Sequence, residues 1–314
     1  MKVLIISTHA MPTEATGGNG LGRLVSNIAL YLQSVGCDIT IFASKGSVID
    51  GIRIFEYSNP ILELSNILSS INVEKYDIVL DFSHNKYLSK YHSHRNIKII
   101  NYIADEECDY TPKNSLVGNR YQLIRHQSAL VYPIGVDLNE FNFYAKKQEY
   151  LSFAGKIEKR KGYDIAIEIA KLSGKKLILA GGIMTWEPNN INDLLGQEWV
   201  GEIRDKKQYC DFVGNSCCLL YPSRKEAGGM GILEAMAMGT PCITISGTGT
   251  SCFVEHGITG YVADDVESAV EYCDKIEDLD PEKIRKYCEE NYDMHKNFNN
   301  IYELMKEVIN GKTW

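Results

Sequence analysis

The residues best suited to chemistry gather in one short stretch, Glu226-Ala-Gly-Gly-Met-Gly-Ile-Leu-Glu234, which runs on into Ala-Met-Ala-Met-Gly239-Thr-Pro241. Two carboxylates lie eight positions apart around a glycine-rich turn. Free backbone N–H groups at such a turn suit a phosphate when a helix opens behind it. Glycines let an anion come close to the backbone. A carboxylate on each side would repel phosphate, so Glu226 and Glu234 are expected to meet hydroxyls. A ligand with a diphosphate between two polyols meets all three demands, and that ligand is a nucleotide-sugar. The bland reading of the same spacing is a strand–turn–helix with two surface glutamates.

The elements around the stretch support its placement. The apolar run Cys217–Tyr221 reads as a buried parallel strand stopped by Pro222. Residues Ile232–Met238 read as a small-residue helix, with Gly239 at its end and Pro241 beyond. Gly228, Gly229, Met230 and Gly231 then sit at the carboxyl edge of a sheet. A second loop, Phe153-Ala-Gly155-Lys156-Ile-Glu-Lys-Arg-Lys161-Gly162, follows another strand and precedes a helix. Its cations can reach the same cleft, although a solvated basic loop is the plain alternative.

Short apolar runs alternate with helical patterns along the whole chain. Candidate strands are Val3–Ser7, Asp38–Ala43, Ile52–Phe55, Ile78–Leu80, Ile97–Tyr102 and Ala129–Tyr132, then Tyr150–Phe153, Lys176–Leu179, Cys217–Tyr221, Cys242–Ile245 and Gly260–Val262. Amphipathic helices such as Leu21–Val35 and Tyr163–Leu172 fill the gaps. Such alternation argues a parallel α/β sheet in each half. At 314 residues the chain is longer than a single core usually supports. Two doubly wound Rossmann-like domains facing a central cleft are expected, over residues 1–140 and 141–294. Pro133–Phe141 reads as the linker, and the helical end, 295–314, follows a polar break.

Composition narrows the class. Hydrophobic content of 44% and charged content of 24% are those of an ordinary globular protein. The net charge is −8. Residues 1–140 hold 12 basic and 14 acidic side chains, and the remainder 21 and 27. Neither half is basic, so nucleic acid is not an expected partner. The less acidic first half is the better candidate for peripheral contact with an anionic membrane surface. The nine cysteines are scattered, with no Cys-x-x-Cys, and fit small buried hydrophobes in a reducing compartment. Lys2–Ser7 is too short for a signal-peptide core, and no apolar run reaches the ~20 residues of a membrane span. A cytoplasmic protein is expected.

The Glu-x7-Glu pattern resembles the signature of the retaining GT-B glycosyltransferases, in particular glycosyltransferase family 4. The chain keeps both glutamates, Gly229, Ala235-Met236-Ala237, Gly239 and Pro241, and departs at Gly228, where an aromatic is common. The family's Gly-Arg…Lys-Gly loop is matched by Lys156, in the place of Arg, and by Lys161-Gly162. The family's Pro-Asn-Gly-Val-Asp segment is matched by Pro133–Asp137, with Ile134 where Asn is usual. Pro12–Arg23 resembles the family's Gly-Gly loop, with Gly18 facing the donor. Its Gly18-Asn-Gly20-Leu-Gly22 spacing is one residue short of a dinucleotide fingerprint. Asp81-Phe-Ser-His84 follows the fourth strand, and the resemblance implies that His84 lies near the transferred sugar. A helix cap or a solvent-bonded ring is its alternative. Glu255–Gly260 resembles the family's closing motif or forms a structural turn.

The resemblance implies transfer of a sugar from a nucleotide-diphosphate-sugar, with UDP as the commoner base, to a glycan, lipid-linked or other hydroxyl acceptor. Anomeric configuration would be retained, with neither metal nor resident cofactor. Lys156, Lys161 and the N–H groups of Gly229, Met230 and Gly231 would stabilise the departing diphosphate. Glu226 would hold sugar hydroxyls and Glu234 the ribose. Asp278-Leu-Asp280 has a metal-binding form, but the following Pro281 makes a helix cap the better reading. A sugar-nucleotide epimerase of the same fold and a non-catalytic nucleotide-sugar-binding protein are the alternatives.

Overall fold

The computed structural model describes residues 1–8, 12–14, 20–57, 72–84, 86–91, 97–104, 108–183, 194 and 196–314. The chain divides into two compact units, Met1–Ile134 with His295–Trp314, and Gly135–Met294.

The first unit is built on strands β1 (Lys2–Ile6), β2 (Asp38–Ser44), β3 (Arg53–Tyr57), β4 (Ile78–Asp81), β5 (Ile99–Ile103), β6 (Ser115–Val117) and β7 (Leu130–Val131). They form a parallel sheet in the order β3-β2-β1-β4-β5-β6-β7. Val3, Leu4, Ile5 and Ile6 are all buried, as a central strand covered on both faces requires. Helix α1 (Gly20–Ser34) buries Leu24, Val25, Ile28, Ala29 and Leu32, the i, i+4, i+8 stripe of an amphipathic helix. A short helix, α2 (Tyr87–Tyr91), follows β4.

The second unit repeats the plan. Strands β8 (Gln148–Ala154), β9 (Leu177–Ala180), β10 (Glu198–Trp199), β11 (Ser216–Tyr221), β12 (Cys242–Ile245) and β13 (Gly260–Ala263) lie parallel in the order β10-β9-β8-β11-β12-β13. Helices α3 (Tyr163–Ser173), α4 (Lys206–Gly214), α5 (Met230–Ala237), α6 (Val266–Lys275) and α7 (Pro281–Asn291) cover the sheet. Alternate residues of β11 point to opposite faces. Cys218 and Leu220 join one core with α3 and α6. Leu219 joins the other with α5 and α7. Asp280 caps α7 by accepting from Glu282 N–H at 2.9 Å, with Pro281 in the first turn, so this acidic pair is a helix start.

The last helix, α8 (Met294–Ile309), belongs from His295 onward to the first unit. Phe298 packs at 5.8 Å from the Tyr31 ring of α1, and Trp314 Nε1 donates to the Ser115 carbonyl at 3.0 Å. Gly135 approaches residues 293 and 294 so closely that a Cβ there would lie 2.3 Å from Met294 Cα. Val136 N–H donates to Tyr292 O at 2.8 Å, which pins the start of the second unit to its end.

Candidate functional site

Both sheets reverse strand order between their first and fourth strands, the topological switch point where α/β sheets leave a crevice beyond the strand ends. In the second unit that crevice lies beyond β8 and β11. The chain leaves β8 through Gly155 and the exposed Lys156, then makes a single 3-10 turn over Lys159–Lys161. The turn docks on the segment after β11. Arg224 N–H and Ser223 Oγ both donate to Arg160 O, at 2.9 and 3.1 Å. Arg224 also forks onto Asp164, at 2.6 and 2.8 Å. Gly162 closes the turn at φ 79°, and a Cβ there would lie 1.9 Å from Pro222 O. Only glycine fits that backbone and that contact. The docking brings Lys161 Nζ onto Glu226 Oε2 in an ion pair with both side chains largely covered.

The turn from β11 into α5 has the expected form. Gly229 is the residue before the helix, at φ −156° and ψ 72°, and makes no side-chain cap. No described carbonyl or side chain accepts from the N–H groups of Gly229, Met230 or Gly231. These are the orphan donors of a helix start, with the positive end of its dipole behind them. The far end of α5 is held by two cations. Lys147 Nζ donates to Met238 O at 3.3 Å, Gly214 O at 2.7 Å and Thr240 Oγ1 at 2.8 Å. Arg285 donates to Ala237 O and, at 2.9 Å, to Phe141 O. Burial pushes the Lys147 ammonium down to about 7.

Glu234 projects from α5 and is buried, with Oε2 accepting from Tyr209 Oη at 2.6 Å. Tyr221 ends β11 near both glutamates. Burial, then the charges of Glu226 and Glu234, push its phenol well above the ordinary value, so it stays a hydroxyl donor. Gly249 fixes the backbone at Glu226: its N–H donates to Glu226 O at 2.8 Å, and a Cβ would lie 2.2 Å from Ala227 O. A Cβ at Gly228 meets nothing within 4 Å, so the space beside its backbone is open.

In the first unit the equivalent crevice lies beyond β1 and β4. Thr8 Oγ1 and His84 Nε2 are 2.8 Å apart. Fully buried Asp81 accepts through Oδ1 from Ser83 N–H at 2.8 Å and Oγ at 2.6 Å. Burial pushes the Asp81 carboxyl up, against the lowering effect of Lys86. Lys86 is itself buried at φ 47°, and its Nζ donates to Ser83 O.

Of the residues singled out in the sequence, Lys161, Glu226, Gly229, Met230, Gly231 and Glu234 come together in the second unit, with Lys156 on the same edge. His84 belongs to the first unit. Gly18 lies outside the described residues. Glu255–Gly260 is a structural turn: Thr259 N–H donates to Glu255 O at 2.9 Å, and a Cβ on Gly260 would lie 1.9 Å from Cys242 O. Sequence reasoning missed Tyr209, Tyr221, Ser223, Lys147 and Gly249. Ser223 was the most accessible of these, as the residue after the strand-ending Pro222. Tyr209, Lys147 and Gly249 act across gaps of more than twenty residues.

A family model for glycosyl transferases group 1 matches residues 138–294. Comparison with the curated proteins gave no match. Among solved structures, AviGT4, a glycosyltransferase involved in Avilamycin A biosynthesis, superposes with TM-score 0.78 at 19% identity over 100% of this chain and 99% of its own. A glycosyltransferase from Rickettsia africae ESF-5 gives TM-score 0.79 at 18% identity, covering 99% of each chain. Anabaena Alr3699/HepE in complex with UDP gives 0.74 at 13% identity over 98% of this chain and 100% of its own. At these identities the likeness establishes the fold, GT-B, built of two parallel-sheet α/β domains.

Proposed function

The chain belongs to the glycosyl transferases group 1 family, and on that premise we propose that it moves a sugar from a nucleoside-diphosphate donor to an acceptor hydroxyl, with retention at the anomeric carbon. The bond from the anomeric carbon to the β-phosphate breaks, and its electron pair leaves on the phosphate. The acceptor oxygen forms the new bond, and its proton passes to the departing diphosphate oxygen. Negative charge therefore grows on the diphosphate and positive charge on the sugar.

The observation that carries this reading is the open first turn of α5 between two carboxylates, with Lys161 beside it. The N–H groups of Gly229, Met230 and Gly231 are fixed donors, and donors aimed at developing charge are usually the largest catalytic term. Lys161 now neutralises Glu226. A bound diphosphate competes for that ammonium and releases Glu226 to the sugar hydroxyls. Lys156 adds a second cation on the same edge. Glu234 accepts from the ribose. In this reading the protein's own cations and dipoles carry the phosphate charge, so the reaction needs no metal. UDP is the favoured nucleotide, in keeping with the UDP and UDP-glucose held by Anabaena Alr3699/HepE. The acceptor is a glycan, a lipid-linked sugar or another hydroxyl.

The test is thermal stabilisation by UDP, GDP, ADP, CMP and their common sugars, with and without chelator. A ligand at 100 times its dissociation constant adds about 2.7 kcal/mol. One nucleotide standing out, unaffected by chelator, supports the donor assignment. No response to any of them overturns it. Conversion of donor without acceptor would identify an epimerase.

A further inference from the structure

Glu234 has an unusual surrounding for a carboxylate expected to face a ligand. It sits on α5 between Leu233 and Ala235, both fully buried in the apolar core, and is itself 6% exposed. A carboxylate in that position needs a donor to stay in place. Tyr209, on the first turn of α4, supplies one. The turn is fixed by Asp205, whose side chain caps the helix by accepting from Gln208 N–H at 2.8 Å. Tyr209 N–H bonds Asp205 O at 3.0 Å. The phenol reaches 25 residues along the chain to Glu234, and 2.6 Å is the length of a charge-assisted O–H···O⁻ bond.

Gly231, on the first turn of α5, faces two tyrosines. An ideal Cβ on Gly231 would lie 3.1 Å from Tyr221 Cε2 and 3.9 Å from Tyr209 Oη. The two tyrosines therefore stand against the bare first turn of α5. We propose that Tyr209 is a positioning residue for nucleotide recognition: by holding one oxygen of Glu234, it fixes the carboxylate plane so that the site selects a ribose over a 2′-deoxyribose. This rests on the ribose role proposed for Glu234. A carboxylate whose plane is fixed rewards a vicinal hydroxyl in one geometry. A carboxylate free to rotate follows whichever donor is present and discriminates less.

The experiment compares UDP with 2′-deoxy-UDP binding, by calorimetry, in the wild type and in Tyr209→Phe. The wild type should prefer UDP by about 10–100-fold, the value of a hydrogen bond to a charged group. In Tyr209→Phe the UDP affinity should fall while 2′-deoxy-UDP changes little, so the ratio collapses toward 1. A Tyr209 that only supports the fold would weaken both ligands alike and leave the ratio intact, which overturns the inference but keeps Glu234 on the ribose. A ratio of 1 in the wild type overturns the ribose role and the inference together. Tyr209→Leu gives the same readout should Tyr209→Phe not fold.

Discussion

Beyond β1 and β4 of the first unit, several of the described polar groups bond one another. Asp81 is held by Ser83, Lys86 turns onto the Ser83 carbonyl, and Ser7 Oγ meets Thr13 Oγ1 at 2.6 Å. Beyond β8 and β11 of the second unit, the same topological position carries the orphan N–H groups of α5 and the Lys161–Glu226 ion pair, with buried Glu234 farther along the helix. Each unit also buries a lysine, in opposite ways. Lys86 lies beside a carboxylate. Lys147 has no carboxylate partner among the described residues and lies on the carbonyl ends of two helices. The difference teaches that strand order alone does not decide what a sheet edge presents. In the second unit a glycine turn leaves the start of α5 bare, and helix-end cations hold the helix in position.

The comparison breaks most visibly at Lys161. Loss of one preorganised donor to a developing oxyanion costs about 10²–10³-fold in kcat, and Lys161→Ala should fall in that range. Lys161→Arg should recover part of it. Steady-state kinetics with the nucleotide-sugar found by thermal shift is the measurement, and unchanged turnover would remove Lys161 from leaving-group stabilisation. Gly162→Ala comes next. Its left-handed backbone alone costs on the order of 1–3 kcal/mol for another residue, and the Pro222 carbonyl stands where the Cβ would go. A melting temperature lowered by roughly 5 °C or more is expected. Gly36→Ala, at φ 86° with nothing within 4 Å, isolates the backbone part of that cost in the first unit.

How much of this was legible in the chain follows from the same contrast. The second unit's site lay almost wholly in two contiguous stretches, 153–162 and 226–241, where turn glycines, a strand before and a helix after fix the geometry locally. The strands of both sheets were legible as apolar runs. β6 and β10 escaped, because three and two residues carry no period. Tyr209, Tyr221 and Lys147 look ordinary in sequence. They matter only because folding sets them against α5, and tyrosines on helices or strand ends usually serve the core. The Asp81–Lys86 cluster was legible only as far as His84. Nothing in the chain announces that a lysine will take a left-handed backbone and be buried.

Lys147 gives the next prediction. It titrates at about 7 in the fold against an ordinary 10.5. Between those values the unfolded chain holds more protons than the folded one, so stability rises with pH. Relative to Lys147→Met, the wild type should gain about 2 kcal/mol between pH 7 and pH 9. Urea unfolding of both proteins across that range reads the difference. A flat difference would mean that the three acceptors around the ammonium offset its burial.

The smallest effect, and the one that bears most directly on the two crevices, is at His84. If the second unit alone holds the nucleotide, His84→Ala should leave UDP affinity untouched. If the first unit's edge contributes to transfer, the same variant should lower kcat, by about tenfold for the loss of one well-placed hydrogen bond. The Thr8 hydroxyl lies 2.8 Å from His84 Nε2 and helps to hold the ring in place. Thr8→Val should then follow His84→Ala in kcat and likewise leave UDP binding alone. A drop in UDP affinity in either variant would show that the first unit takes part in holding the nucleotide, and the division of labour drawn from the two sheet edges would have to be abandoned.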